Sequence, residues 1–408
     1  MKPEGRSEAG GHGVGPSSHG ATGEWLAILA AFAATLPGVA LRLGGLTASD
    51  PVAALIYGIA IVGAAFLLSW AAEVSQLDVS QGLALAFLAL IAILPEYIVD
   101  ATFAWLAAED PSYASYAVAN MTGANRLLIG IAWPLVVLLV WLRTRSPTVE
   151  LEPGHGVEIV TLLAATLYAF LLPLKETISL LDMAVLGTMF ALYVWRLAKA
   201  PAEPPHLMGP AARIARLSTG RRRLATVGLG LSAAAAILLV AKPFAKALVV
   251  TGITFGLDEF LLVQWLAPLA SEAPEFVVVS IFAWRAAGAA ALGTLVSSKV
   301  NQWTLLVGML PLVYSIALGR PAALPLTERQ QGEILLTAAQ SLFAVVLLLD
   351  LRLSLTGAAM LFVLFTAQLV WPEIRMEATI AYFVLAAAAL FRSRGHLVAV
   401  FRGLHPRA

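Results

Sequence analysis

Cysteine is absent from the 408 residues, which excludes disulfides, thiolate metal sites and thiol catalysis together. Histidine is scarce: His12, His19, His155, His206, His396 and His405 all fall in the tails or connecting loops. No apolar run therefore offers the imidazole pair that a haem or transition-metal electron carrier needs. Charge is the third shortage, since only 12% of residues are Asp, Glu, Lys or Arg, against about a quarter in soluble domains. The basic residues sit in loops without interleaved aromatics, so nucleic acid is not an expected partner. The first 23 residues, rich in Gly, Ser and His, lack the short apolar core of a signal peptide and read as a disordered tail.

Hydrophobic residues make up 60% of the chain, and at about 20 residues per crossing there is room for roughly a dozen membrane spans. Apolar runs cover 25 to 42, 51 to 74, 82 to 107, 115 to 142, 157 to 173, 178 to 198, 224 to 253, 258 to 284, 288 to 318, 331 to 349, 353 to 371 and 376 to 391. Each must be helical, because an open strand in lipid leaves its backbone groups unpaired. The expectation is an all-α polytopic membrane protein of 10 to 12 spans: a membrane half over 24–199, a basic linker over 200–223, a second half over 224–392 and a tail over 393–408. On the twelve-span count one face carries 17 Lys or Arg and the other five. The positive-inside rule then puts both termini in the cytoplasm of a cell-membrane protein.

One segment occurs twice. Leu94 to Trp105 contains Pro95-Glu96 and ends Phe-Ala-Trp; Ala273 to Trp284 contains Pro274-Glu275 and ends the same way. Five crossings separate the copies, and five is odd, so they are inverted. Inverted repeats with interrupted helices are a recurring transporter plan, with the binding site where the repeats meet. A carboxylate inside a span is expensive unless it has a function. Each proline frees a carbonyl one turn back, Ile91 or Ala270, and carbonyls beside a carboxylate make an oxygen-lined cation site.

A polar interruption follows each copy in the next span. The first holds Asn120, Gly123, Ala124, Asn125 and Arg126; the second holds Ser297, Ser298, Lys299, Asn301 and Gln302. Amides and hydroxyls there are candidate neutral ligands, while the small residues serve equally to let helices approach. Asp100 lies one turn beyond Glu96 on the same face and lines an access path or carries a proton; the second copy has Val279 there. Arg126 and Lys299 bring positive charge to the same region, or else snorkel to a cavity mouth.

These residues resemble the sodium/calcium exchanger family of the cation/Ca²⁺ antiporter superfamily, over about 65 to 140 and 245 to 315. The family's repeats carry Gly-Thr-Ser-x-Pro-Glu, then Gly-Asn-x-x-Gly-Ser-Asn and a further Asn or Asp ligand. The resemblance implies two inverted five-helix repeats plus about two extra helices. It makes Glu96 and Glu275 the central cation ligands, aligns Ser271 with the family threonine and puts Gln302 at the Asn/Asp position. In the first repeat, strict register puts Leu128 there and a small gap puts Asn125 there. The chain departs from the pattern at Ala92, Ile93 and Glu272. The implied activity is secondary antiport, as Na⁺/Ca²⁺, Na⁺/H⁺ or Ca²⁺/H⁺ exchange, with Glu96, Glu275, Asn125, Gln302, Ser271, Asn120, Asn301, Ser298 and Asp100 as candidate ion-site residues. No cofactor beyond the transported Na⁺, Ca²⁺ or H⁺ is expected, and the partners are small cations and lipid. A cation channel remains the alternative, though the unequal site fits a ring of ligands poorly. An enzyme would need a nucleophile and base that the spans lack.

Overall fold

The computed structural model describes residues 18–78, 94–199 and 207–403, with side chains from 22 to 392. The described part of each of the twelve apolar runs falls on a helix: α1 (Ser18–Leu43), α2 (Asp50–Ser75), α3 (Leu94–Glu109), α4 (Tyr113–Thr144), α5 (Pro153–Lys175), α6 (Leu180–Leu197), α7 (Thr219–Phe255), α8 (Glu259–Trp284), α9 (Gly288–Leu318), α10 (Glu328–Leu347), α11 (Leu355–Val370) and α12 (Arg375–Gly403). Nine of the described helices are long and apolar enough to cross a bilayer. The opening of the third run, with Ile91, Ala92 and Ile93, lies outside the described residues, as does most of the expected N-terminal tail. Three boundaries move. Helix α1 starts inside that tail at Ser18, α7 takes in Arg221, Arg222 and Arg223, and α12 continues to Gly403. Hydropathy places the apolar part of a helix, whereas backbone bonding carries the helix past it into polar sequence.

The helix breakers sit where the sequence put them. Helix α8 contains Pro268 and Pro274, and Asp258 caps its start by accepting from the Leu261 amide at 3.3 Å while pairing with Arg329 at 2.7 Å. Capping boxes at Ser179 and Thr327 open α6 and α10. Helices α4 and α9 each contain one π-helical turn, Leu128–Ala132 and Gln302–Leu306, immediately after their polar interruptions. A wider turn in the same place in both repeats marks a functional site more often than an accident.

Two short ladders join the loops. Strand β1 (Thr148–Glu150) pairs antiparallel with β4 (Arg352–Ser354), and β2 (Thr177–Ile178) with β3 (Leu324–Pro325). Sequence reading gave no strands here, since two or three residues carry no usable alternation. The ladders test the topology. Among the described residues, six of the numbered helices lie between β1 and β4 and four between β2 and β3, and an even number of crossings returns the chain to the same side. Asp78, which meets Arg222 at 2.7 Å with four of the numbered helices between among the described residues, and Asp258, which meets Arg329 across two, obey the same rule.

The buried side chains form two clusters. The smaller joins α1, the second half of α2, the first half of α7 and the short helix Gly209–Ala215 around Leu67, Trp70, Ile214 and Ile237. The larger holds helices α3 to α6 and α8 to α12, and takes in Leu41 of α1 and the remaining parts of α2 and α7. Helices α2 and α7 open the two repeats and pack against each other. They link a bundle to a core.

Candidate cation-binding site

The site lies where α3 and α4 of the first repeat meet α8 and α9 of the second. Glu272 and Glu275 stand near the centre of α8, flanking Pro274. That proline has no N–H, so the Ala270 carbonyl loses its helical donor. Pro268 frees the Gln264 carbonyl in the same way, and helix α4 comes so close there that a Cβ on Gly123 would lie 1.8 Å from that oxygen. Only glycine fits, and its absent side chain draws the polar stretch of α4 against α8.

Gln302, at the start of its π-turn, spans the two repeats. Its amide nitrogen donates to Glu96 Oε2 at 2.9 Å and to Glu272 Oε1 at 2.7 Å. Glu96 and Glu272 are 2% and 3% exposed and Gln302 is fully buried. Glu275, one turn from Glu272 and partly exposed, accepts from the Ser298 hydroxyl at 3.0 Å. Each carboxyl keeps one buried oxygen without a hydrogen-bond donor among the described residues: Glu96 Oε1, Glu272 Oε2 and Glu275 Oε1, together with Gln302 Oε1. Asp100 extends the acidic surface and is held by Asn120 at 2.7 Å. Among the described residues no three carboxyl or imidazole groups close into a ready-made metal cage. The carboxyls are instead spaced by amides and hydroxyls.

The structure distributes the other expected residues unevenly. Asn301 accepts from the Tyr97 hydroxyl at 2.8 Å, tying α9 to α3. Asn125 donates to the Met121 carbonyl at 2.8 Å and accepts from Lys299. Ser271 turns back to the carbonyls of Pro268 and Ala267 in its own helix, at 3.2 and 3.3 Å. Leu128, opening the first π-turn as Gln302 opens the second, is buried and brings no ligand. Glu272 was legible only as a departure from the family pattern. Its spacing of three from Glu275, one turn on the same face, was the signal that it belongs with the site.

Arg126 and Lys299 do not snorkel: they are 1% and 0% exposed. Arg126 turns away from the carboxyls, pairing with Glu333 at 2.6 Å, donating to Gln368 at 2.7 Å and lying over Trp265. Arg375 meets the other oxygen of Glu333 at 2.7 Å, and Gln264 donates to Glu333 at 3.0 Å and Thr122 at 3.1 Å. This network staples α4, α8, α10, α11 and α12. Lys299 stays close, with Glu272 and Glu96 within electrostatic reach.

The twelve numbered helices among the described residues and a carboxyl cluster shared by two inverted repeats define a multi-pass membrane antiporter for cations. The model of the family described as sodium/calcium exchanger protein matches residues 51–199 and 225–372, and the chain belongs to that family. The solved structure of an H⁺/Ca²⁺ exchanger, CAX, superposes with a TM-score of 0.90 at 45% identity, covering 94% of this chain and 98% of that one. YfkE gives 0.60 at 15% identity, over 87% of this chain and 99% of that one. The sodium–calcium exchanger NCX_Mj gives 0.52 at 16%, over 79% and 98%; these two likenesses concern the fold. No curated protein matches by sequence.

Proposed function

We propose that the protein exchanges Ca²⁺ for H⁺ across a cell membrane, using Glu96, Glu272 and Glu275 with Gln302 as the ion-binding group. The observation that carries this reading is a group of three carboxyls, Glu96 and Glu272 sharing the Gln302 amide and Glu275 one turn along α8 on Ser298, each with a buried oxygen that no donor among the described residues meets. Hard cations choose such oxygens. A divalent ion neutralises two carboxylates, and when it leaves, protons restore neutrality to a group that cannot stay charged away from water. The high identity to an H⁺/Ca²⁺ exchanger favours Ca²⁺ and H⁺ over Na⁺ as the exchanged pair. Ser298 and Asp100 support the group, Asn120, Asn125 and Asn301 position it, and Ser271 bonds back to the Pro268 and Ala267 carbonyls of α8. No cofactor other than the ions takes part.

Alternating access comes from α1, the second half of α2 and the first half of α7, which share the smaller hydrophobic cluster, moving against the core that the other halves of α2 and α7 join. Both termini face the cytoplasm, a reading that the excess of basic residues on that side supports. The test is ⁴⁵Ca²⁺ uptake into proteoliposomes under imposed pH, Na⁺ or electrical gradients. A pH gradient should drive uptake and a Na⁺ gradient should not. Uptake driven only by Na⁺, or conduction without a counter-ion, would overturn the reading.

A further inference from the structure

Lys299 is a buried cation whose hydrogen bonds go to neutral oxygens. Its ammonium donates to Asn125 Oδ1 and, at 3.4 Å, to the Asn125 carbonyl, and it lies 4.4 Å from the centroid of the Trp303 ring. An enclosed charge is costly unless its surroundings replace water. Here an amide oxygen, a main-chain oxygen and an aromatic face do so. Oxygens of that kind coordinate hard metal cations, and an aromatic face attracts any desolvated monovalent one.

The register makes the contact more telling. Counting back three residues from each π-turn gives Asn125 in the first repeat and Lys299 in the second. The two occupy equivalent positions and meet each other between the repeats. Their neighbours are otherwise engaged, Ser298 with Glu275 and Asn301 with Tyr97.

We propose that the Lys299 ammonium is a tethered cation filling a monovalent-cation subsite beside the carboxyls, and that it thereby excludes Na⁺ from the cycle. The inference rests on the carboxyl group being the transport site, but not on which ion is exchanged for Ca²⁺. A tethered charge cannot cross and be released, so the subsite adds nothing to the coupling. Any Na⁺ entering would have to displace Lys299 from the two Asn125 oxygens.

The experiment compares the full-length parent with Lys299→Ser and Lys299→Met in detergent, reading the melting temperature while NaCl replaces choline chloride at constant ionic strength. A parallel assay reads ⁴⁵Ca²⁺ uptake into vesicles under an outward Na⁺ gradient. The parent should be indifferent to the replacement. Lys299→Ser should gain a saturable, Na⁺-specific rise in melting temperature and Na⁺-stimulated uptake, and Lys299→Met, with no oxygen to offer, a smaller rise. The proposal is overturned by a Na⁺-specific response of the parent, by a folded Lys299→Ser that stays indifferent, or by failure of both variants to fold, which would make Lys299 a structural counter-charge. Lack of Ca²⁺ uptake by the parent under a pH gradient instead sinks the exchange reading, and the melting arm still decides the subsite.

Discussion

Glu96, Glu272 and Glu275 differ in how they are held, yet each brings a charge that its amide would lack. Gln302 donates to Glu96 and Glu272 at once, whereas among the described residues Glu275 accepts from the Ser298 hydroxyl alone. A Glu→Gln change keeps the shape but removes the charge that attracts the ion. Glu275→Gln and Glu96→Gln should each abolish exchange while the protein still elutes as a folded species, measured by ⁴⁵Ca²⁺ uptake and gel filtration; near-parent uptake would remove the residue from the site. Outside the membrane, Arg222 holds the Asp78 carboxyl down to about 2 through its hydrogen bonds, with Arg223 adding to the effect. That value lies below the ordinary 3.8, so the contact stabilises above about pH 4 and is lost as pH falls toward 2. Asp78→Asn should lower the melting temperature slightly at neutral pH and lose its difference from the parent in acid. The duplicated Pro-Glu pairs were readable in the sequence because a charge in an apolar run stands out. The partners of Ser271 and Asn125 were not, because a hydroxyl or amide that bonds its own helix carries the same letters as one that binds an ion.

At the scale of helices, the approach of α4 to α8 depends on two residues in different repeats. Pro268 strips the Gln264 carbonyl of its donor, and Gly123 leaves room for that oxygen. Gly123→Ala inserts a methyl group into occupied space, and overpacking of this kind costs about 1–3 kcal/mol. A lower melting temperature together with weaker Ca²⁺ binding is expected; an unchanged variant would mean that the helices separate freely. Arg126 belongs to this scale as well. The sequence suggested that it acts on the ions, but its partners are Glu333, Gln368 and Trp265. Removing one partner of a buried pair costs about 3–5 kcal/mol. Arg126→Ala should therefore reduce stability strongly, with the ion preference of the surviving protein unchanged in competition assays. Helix positions were legible from the apolar runs, yet which face of α4 looked toward the site was not, since Asn120, Asn125 and Arg126 fit either orientation by composition.

For the molecule as a whole, odd and even crossing counts carried the architecture from a repeated dipeptide to an inverted fold, and the loop ladders agree with the count. They also have a practical consequence. A chain with no cysteine is a clean background for thiol chemistry, and Thr148 and Ser354 stand directly opposed in antiparallel strands, a spacing of about 4.5–5.5 Å between Cα atoms that a disulfide can bridge. Thr148→Cys with Ser354→Cys should oxidise readily into a staple between the end of α4 and the start of α11. If the core moves as one body, the stapled transporter keeps working, and adding a reductant changes nothing. Arrest on oxidation, reversed by reduction, would instead locate a hinge at the ladder, and the covalent bond would then serve as a brake that an experimenter can apply and release at will.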